Sequence, residues 1–454
     1  MKIKIVGAGA AGCFCAIELK RRMPSASVEV FEAGAKALAK VAITGGGRCN
    51  LTNSFEGISS LSAAYPRGDK LMKRLFRTFD QQSTWQWFEN EGVKLVLQED
   101  QCVFPASQDA MEIVDTLQTR MRQAGVVLHT RHKVTGIFSR PEGGYALSTG
   151  FSGGLSLRQA QRPVCPAPEP VYSVSEPVNS VPEPVEGPMS QKPLRLDNHE
   201  YSADIVVVTT GGSPKLSGLG MLDSLSLEII PPVPSLFTFN LPADPVRELM
   251  GTVVENASVS LSGTKFKADG PLLITHWGMS GPAILKLSSY AARYLAENEY
   301  SAALSVNWFG DSDEQDIRAG IMSVSKDNSH KLILNTHPSE LPSRLWNYLI
   351  SKSGIRDDAR WSELGSKGVN RLVNTLINDG YQIRGKSRFK EEFVTCGGVA
   401  LSNINLSTLE CKTHPGLYFA GEVLDVDAIT GGFNLQAAWT TGYVVAQSVE
   451  SLFQ

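Results

Sequence analysis

The chain has 454 residues, more than one hydrophobic core usually organises, so two or three domains are expected. Hydrophobic residues make up 42% of it and charged residues 20%, as in a globular protein. The net charge of -3 gives the whole protein no basic field that would attract nucleic acid or an anionic membrane. We therefore expect a small-molecule substrate, and neither nucleic acid nor a membrane as a partner.

The cysteines and histidines indicate neither a disulfide framework nor a metal site. The seven cysteines are scattered and include no CxxC pair, and the seven histidines show no ligand spacing such as HExxH. We expect no metal, and a reducing compartment. No apolar run reaches the ~18 residues that cross a bilayer, and the first residues lack a signal-peptide pattern. These features predict a soluble cytoplasmic protein.

The first residues predict a unit that binds a dinucleotide. An apolar strand over 2–6 leads into Gly7, Gly9 and Gly12, and a helical stretch runs from there to about residue 23. Glycines at a junction between strand and helix let backbone N–H groups and the positive end of the helix approach a pyrophosphate. A second strand ends at Glu32, 20 residues after Gly12, where its carboxylate can accept hydrogen bonds from a ribose.

The remaining elements change in character along the chain. Helical patterns are predicted at 69–91 and 110–124, and strands at 126–130, 133–139, 145–149, 194–196 and 205–209. Short alternating runs at 236–241, 257–261 and 272–275 then predict a small β-barrel, followed by helices near 283–296, 341–353 and 367–378. Buried strand patterns return at 393–395 and 417–420, before a last helix at 433–453. The middle part is therefore predicted to be an inserted domain.

Residues 158–193 interrupt a predicted hairpin with a proline-rich segment. It contains an imperfect seven-residue repeat that begins at Glu169, Glu176 and Glu183, each followed by proline and valine. A proline in every repeat excludes a coiled coil, and the segment has too few large apolar residues to offset its ordering entropy. We predict a disordered insertion; a docking peptide is the alternative.

The C-terminal part identifies the dinucleotide. Residues 413–422, THPGLYFAGE, resemble the second FAD fingerprint of the glutathione-reductase-like flavoproteins, in which an apolar strand ends in glycine and an acid. Glu422 stands where that family usually has aspartate. Two glycines then open the last helix, and the dipole of this helix would favour negative charge on a reduced flavin. The other interpretation of this turn is a glycine-led start of a packing helix.

The most distinctive stretch is 40–53, KVAITGGGRCNLTN, which combines three glycines that bring the backbone near a flat ligand with polar side chains that address its edge. GGGRCNxTN resembles the signature of a bacterial NAD(P)/FAD-dependent oxidoreductase family that includes aminoacetone oxidases and bile-acid-converting flavoproteins. Residues 275–285 and 421–439 also match, so the resemblance spans the chain except for the proline-rich insertion. It implies an α/β fold: an FAD-binding Rossmann-like domain of the two-dinucleotide-binding-domain type, formed by 1–212 and 393–454, with a β-barrel and helical domain, 213–392, inserted.

The motifs and the resemblance together give a set of expected FAD contacts. The set comprises Gly7, Gly9, Ala10, Ala11, Gly12, Glu32, Ala33, Lys40, Thr44, Gly45, Gly46, Gly47, Arg48, Cys49, Asn50, Val134, Thr210, Gly211, Gly212, Gly421, Glu422, Gly432, Phe433, Asn434 and Leu435.

Two of the candidate residues allow a chemical and a structural interpretation. Cys49 could be a redox partner of the flavin, but no second cysteine has exchange spacing, so a packing role is favoured. His276 could act as an acid or base on the substrate side. Its neighbours Ser280 and Gly281 could instead serve only to cap a helix that begins at Pro282.

The sequence favours an FAD-dependent oxidoreductase that transfers hydride between a small organic substrate and flavin, with NADH or NADPH as electron partner. We find no second strand-linked GxGxxG, so a nicotinamide cofactor would dock transiently over the flavin. The alternatives are an oxygen-using amine oxidase of the aminoacetone-oxidase type, and a non-catalytic FAD-binding sensor or binding module.

Overall fold

The computed structural model describes residues 1–151, 199–213, 215–385 and 394–453. The predicted proline-rich insertion and the strand predicted at 194–196 lie outside these residues. The strands are β1 (Lys2–Val6), β2 (Ser27–Glu32), β3 (Thr52–Asn53), β4 (Leu95–Leu97), β5 (Cys102–Pro105), β6 (Val127–Thr130), β7 (His132–Ser139), β8 (Tyr145–Phe151), β9 (His199–Ala203), β10 (Ile205–Val208), β11 (Ile229–Ser235), β12 (Phe239–Asn240), β13 (Val253–Leu261), β14 (Lys267–Ile274), β15 (Gly278–Ser280), β16 (Ser301–Asn307), β17 (Asp379–Arg384), β18 (Val394–Val399) and β19 (Leu417–Phe419).

The helices alternate with these strands in the first part of the chain and dominate the second half of the inserted domain. They are α1 (Ala10–Arg22), the short turn α2 (Thr44–Gly47), α3 (Leu61–Ala64), α4 (Asp69–Leu75), α5 (Gln81–Asn90), α6 (Ala110–Gln123), α7 (Pro282–Tyr290), α8 (Ala292–Glu297), α9 (Glu314–Asp327), α10 (Ser343–Lys352), α11 (Gly365–Ile377) and α12 (Phe433–Ser451).

A five-stranded parallel sheet forms the centre of the dinucleotide domain, with the order β19-β10-β1-β2-β6. The central strand β10 is wholly apolar and all four of its residues are buried, as expected for a parallel strand covered on both faces. β19 pairs with β10 through Val206↔Leu417 to Val208↔Phe419. The last part of the chain therefore completes a sheet that the first residues begin, as the sequence predicted.

The inserted domain has a hydrophobic core of its own, separate from that of the sheet. Its six strands have the order β12-β15-β14-β13-β16-β17, and the two edge strands approach each other, so that the sheet nearly closes into a barrel. Helices α7 to α11 accompany this sheet, and three fully buried tryptophans, Trp308, Trp346 and Trp361, fill the space between the elements. The predicted fold class, a Rossmann-like α/β domain with an inserted barrel and helical domain, is confirmed. The exact domain boundaries stay a prediction.

Two predicted helices are each divided in the structure. The helix predicted at 69–91 becomes α4 and α5, because the Asp80 side chain accepts a hydrogen bond from the Ser83 N–H at 2.8 Å and so caps a new helix. The helix predicted at 283–296 is divided at Ala291 into α7 and α8. Helix α9 and strands β16 and β17 are additions that we did not predict.

Strand β11 was also missed, because its sequence IIPPVPS contains three prolines. Proline cannot donate a ladder hydrogen bond and is tolerated only where the strand has a free side. Among the strands of the described residues, β11 indeed pairs with β18 alone, and its register shifts between Ile230 and Val233.

Within the described ranges, we find no helix with both the length and the apolar character needed to span a bilayer.

A buried ion cluster lies between the central sheet and the β7-β8-β9 meander. Lys4 points from β1 with its side chain only 5% exposed, and it forms an ion pair with Glu29 of β2. His129 Nε2 lies 2.9 Å from the second oxygen of the same carboxylate. Burial would raise the pKa of Glu29, but the hydrogen bonds with Lys4 and His129 and their charges lower this pKa below its ordinary value. The carboxylate thus satisfies a lysine that would otherwise be buried without a partner.

We expect Glu29→Gln to lower the free energy of unfolding at pH 7 by about 2 to 4 kcal/mol, because it leaves a buried ammonium without its counter-charge. Because the pKa of Glu29 is lower in the folded chain, its contribution is complete above the unfolded pKa of about 4.3 and is lost as pH falls through the folded pKa. Urea denaturation of both proteins at several pH values measures this difference.

The control is Asp311→Asn, which removes the ion pair of Asp311 with Lys267. Both side chains are largely exposed, Lys267 to 51% and Asp311 to 73%. That variant should change the free energy of unfolding by less than about 1 kcal/mol. A Glu29→Gln effect as small as the control effect at pH 7 would contradict the argument.

Candidate functional site

The glycine turn between β1 and α1 is held against the end of β2. Gly7 has a φ of +105°, which favours glycine, and a side chain there would collide with the Thr209 backbone. A Cβ at Gly12 would overlap the Gly7 carbonyl oxygen, whereas a Cβ at Gly9 would meet no atom within 4 Å. Gly12 therefore serves close packing of strand and helix, and Gly9 faces the open space that a pyrophosphate requires.

Glu32 connects the end of β2 to this turn. Its Oε2 accepts a hydrogen bond from the Ala8 N–H at 3.0 Å, and its Oε1 accepts one from the Gly34 N–H at 2.6 Å. The carboxylate therefore lies beside the glycine turn, as a ribose acceptor must. Three other predicted contacts flank the turn: Ala10 and Ala11 form the start of α1, and Ala33 follows Glu32. Val134 is buried in β7.

Residues 44–48 form a backbone platform. Gly45, Gly46 and Gly47 have φ values of +62°, +70° and +87°, and the space beside the last two is open. Three successive left-handed residues are accessible only to glycine at low cost, which explains the triplet. The Thr44 hydroxyl donates to the Lys40 carbonyl at 2.8 Å. The exposed Arg48 guanidinium lies 4.6 Å from the centre of the Phe104 ring. The platform is thus fixed at both ends and uncovered in the middle.

The asparagines that follow this platform attach it to the start of α12. Asn50, in the orientation that satisfies its neighbours, donates to the Thr52 carbonyl at 3.0 Å and accepts from the Gly432 N–H at 3.3 Å. Asn53 Nδ2 donates to the Gly431 carbonyl at 3.0 Å. The GGGRCNxTN motif therefore builds the platform and also positions the last helix.

Cys49 lies beneath the platform and is fully buried, with a φ of +60°. Burial raises the pKa of its thiol to about 12, so the reactive thiolate is strongly disfavoured. These facts favour a packing role.

The N-terminus of α12 is formed by two glycines in conformations that disfavour side chains. Gly431 and Gly432 have φ values of +126° and +88°, and a Cβ on Gly432 would overlap the Thr52 carbonyl. Asn434 closes the preceding loop: it accepts from the Ala428 N–H at 2.9 Å and donates to the Ala428 carbonyl at 3.0 Å. Phe433 is buried and Leu435 half-buried. The 19-residue helix thus begins at a bare backbone that can face an anionic edge.

Glu422 lies between the platform and the glycine turn. Its Oε1 accepts from the Thr395 N–H at 2.8 Å, and its Oε2 lies 3.4 Å from the Lys40 ammonium. A Cβ on Gly212 would touch both Glu422 and Thr395, while Gly211 has a φ of +73°. Thr210 precedes this pair and is exposed. Residues from four separate parts of the chain therefore meet here.

These contacts bring most of the predicted residues together at the carboxyl edge of the sheet, and we call this region the cleft. Gly421 joins the glycine turn to Glu422, because its N–H donates to Thr441 Oγ1 at 2.9 Å and its α-carbon faces Ala11. The cleft offers a ribose acceptor, glycine backbone and a helix N-terminus in the order of the parts of FAD, and this donor set fits that cofactor.

His276 lies elsewhere, in the turn between β14 and β15 of the inserted domain. The Arg247 Nε donates to its carbonyl at 2.7 Å, and its ring lies 4.6 Å from that of Trp277. It lines an open depression of about 520 Å³ together with Asp244 and Met250, all from the inserted domain. The structure therefore does not bring His276 together with the other predicted residues, and its catalytic role stays a prediction. In the described ranges, no three His, Cys, Asp or Glu side chains cluster as metal ligands would.

Sequence reasoning missed a buried ion pair beside the cleft. Arg67 Nε donates to Asp427 Oδ1 at 2.6 Å, a second nitrogen pairs with Oδ2, and a third donates to the Ser289 carbonyl at 2.7 Å. The Ser235 hydroxyl donates to the same carboxylate at 3.1 Å. Burial raises the pKa of Asp427, and Arg67 offsets this only in part. The pair fixes the loop before α12 to the inserted domain.

Two family models match the chain. The Rossmann domain of the HI0933-like proteins matches residues 1–158, and their barrel and H2TH domain matches residues 233–394. Three curated relatives align over 98% of this chain. Ribosomal RNA dihydrouridine synthase of Escherichia coli and that of Haemophilus influenzae are each 26% identical, with 97% of the relative covered. The 3-dehydro-bile acid delta(4,6)-reductase of Clostridium scindens is 24% identical, with 98% covered.

The two dihydrouridine synthases contradict our expectation that nucleic acid is excluded as a partner, because their names give ribosomal RNA as the substrate. The physical reason for the error is that a net charge of -3 is an average over the whole surface, whereas nucleic acid responds to local charge. The fold and both family models nevertheless indicate the same family of flavoproteins. The chain belongs to the HI0933-like family and is an FAD-dependent oxidoreductase.

Proposed function

We propose that this protein is a flavin-dependent reductase that adds two hydrogens across a carbon–carbon double bond conjugated to a carbonyl group, and that its substrate is uracil in RNA. One observation carries the proposal: relatives with unlike substrates share one bond type. A dihydrouridine synthase saturates the C5–C6 bond of uracil, which is conjugated to the C4 carbonyl, and a delta(4,6)-reductase acts on double bonds of a bile acid that carries a 3-oxo group. Two of the three relatives act on RNA, so we favour uracil.

The predicted residues then have specific roles. Glu32 and the N–H groups of the glycine turn would hold the adenosine ribose and the pyrophosphate of FAD. Residues 44–50 and the start of α12 would hold the ring system, and the positive end of α12 would stabilise negative charge at the ring edge. When bound and reduced, the flavin would supply the hydride. Arg48, which is exposed on the platform, would orient the substrate carbonyl.

Saturation of the double bond takes one hydride, which carries both electrons, and one proton. The flavin would be left oxidised, so an external reductant is required to reduce it again. We propose NADH or NADPH for this role, docking transiently at the cleft. We also place the protein in the cytoplasm, since all six cysteines of the described residues are buried and free, as in a reducing compartment.

The reaction can be tested with the flavin-loaded protein under anaerobic conditions. NADPH or NADH should bleach the flavin absorbance, and deproteinised ribosomal RNA should restore it. Mass spectrometry of the digested RNA should then show nucleosides heavier by two hydrogens. A 3-oxo-4-ene steroid in place of RNA tests the small-molecule alternative. If only amines bleached the flavin and oxygen alone restored it, the protein would be an amine oxidase and our proposal would be wrong.

The cofactor assignment can be tested by a pair of matched variants, Gly9→Ala and Gly12→Ala. A methyl group on Gly9 meets no protein atom, so this variant should keep the stability of the apoprotein. It should bind FAD at least about tenfold more weakly, because displacing one hydrogen bond to a charged group costs about 1.5 to 3 kcal/mol. In contrast, Gly12→Ala should destabilise the apoprotein itself, because its methyl group overlaps the Gly7 carbonyl.

Thermal unfolding of the apoproteins and chromatography of the released flavin measure both effects. Full FAD content in Gly9→Ala would show that the pyrophosphate lies elsewhere. Release of FMN instead of FAD from the wild type would contradict the role of Glu32.

A further inference from the structure

Helix α4 and the turn after it carry a line of cations that the reaction does not explain. Helical hydrogen bonds continue beyond Leu75, since the Phe79 N–H donates to the Leu75 carbonyl at 3.1 Å. Four exposed basic residues recur at positions i, i+3, i+4 and i+7 of this segment and so share one face. We call them the basic stripe: Lys70, Lys73, Arg74 and Arg77.

The basic stripe has no acidic partner among the residues that the structure describes. Within the described part of the chain, none of its four cations has an ion pair or a side-chain hydrogen bond. Only two acids lie in 66–80, Asp69 and Asp80, and Asp80 is engaged with Ser83 as the cap of α5. Four like charges on one face repel one another, so the stripe lowers the stability of the isolated helix.

Helix stability does not account for this arrangement. The negative end of the helix dipole would favour Lys73 and Arg74 in the last turn. Lys70, however, lies in the first turn, where a cation is disfavoured, and Arg77 lies beyond the helix. A partner that supplies negative charge along the whole face would satisfy all four.

The segment just before α4 lies directly on the loop that leads into α12. The Tyr65 hydroxyl donates to the Phe433 carbonyl at 2.8 Å, and the Ile429 N–H donates to the Ala64 carbonyl at 2.9 Å. Arg67 is ion-paired with Asp427 in the same loop. The basic stripe therefore begins three residues after a contact that fixes the candidate active site.

We propose that the basic stripe binds the phosphodiester backbone of the RNA substrate while a uracil occupies the cleft; this inference rests on the proposed function. The stripe extends over seven residue steps of 1.5 Å, about 10 Å, which is long enough for more than one phosphate. A membrane surface fits less well, because a membrane-binding helix places large apolar side chains beside its cations. None of the exposed large hydrophobic residues of the described chain lies in 66–80.

The test measures how RNA affinity depends on salt. The flavin-loaded wild type, the double variant Lys73→Gln/Arg74→Gln and a control are titrated with a fluorescein-labelled, uridine-rich single-stranded RNA, followed by anisotropy. The control, Lys326→Gln/Lys367→Gln, neutralises two exposed cations on helices of the inserted domain that likewise have no ion-pair partner among the described residues.

Loss of two phosphate contacts should reduce the slope of log affinity against log salt by about 1.4 for a single strand. The loss of affinity between 50 and 200 mM salt should therefore be about sevenfold smaller for the stripe variant than for the wild type. The control variant should keep the wild-type slope, and all three proteins should carry the same amount of FAD.

Equal slopes for the stripe variant and the control would overturn the inference. The inference would also be overturned if the stripe variant lost binding to phosphatidylserine vesicles but kept the RNA binding of the wild type. The reaction is assayed separately on the same RNA at limiting and saturating concentrations, where the stripe variant should show a higher KM and an unchanged kcat. RNA binding through the stripe without reduced uracil would contradict the proposed function alone, whereas equal KM values would contradict the stripe alone.

Discussion

The close packing of α12 on α1 is the contact on which the cleft depends, because it joins the two ends of the chain. A Cβ on Gly442 would lie 2.8 Å from the Ala11 carbonyl oxygen, so only glycine allows the helices to cross at this distance. One residue earlier, Thr441 Oγ1 accepts the N–H of Gly421. The crossing therefore sets the position of Glu422 relative to the glycine turn. A shift of α12 would therefore separate Glu422 from the glycine turn and from the platform.

The same helix also fixes the platform from below. The Trp439 indole N–H donates to the Leu51 carbonyl at 3.0 Å, and the Thr52 hydroxyl donates to Gln436 at 2.5 Å, both in the interior. Buried hydrogen bonds of this kind are costly to leave unmade, so the 51–53 backbone has one favourable position. The glycine triplet can then remain uncovered without losing its geometry, because the residues after it carry the constraint.

Much of this could be predicted from local sequence, and the remainder follows from contacts between distant residues. Gly7, Gly12 and the triplet 45–47 stand out because a turn or a close approach permits no side chain, and that requirement is visible in the sequence. Thr395, in contrast, is one threonine among many until the fold places its N–H on Glu422. The Arg67–Asp427 pair joins residues 360 positions apart, and no spacing rule relates them. The division of 69–91 into two helices depended on Asp80, a capping signal that the helical periodicity concealed.

The net charge of the whole protein does not describe the charge of its individual surfaces. Several cations in the dinucleotide domain are neutralised in place: Arg21 and Arg120 share Glu91, Arg22 pairs with Glu450 and Lys4 pairs with Glu29. A net charge near zero is therefore compatible with a face on which no cation is neutralised. Arg67 lies next to the basic stripe but is itself paired with Asp427. The Asp427 carboxylate is buried and would be strongly destabilising without this counter-charge. The start of α4 thus cannot move independently of the loop before α12, and a ligand held by that helix would be held at a fixed place relative to the cleft.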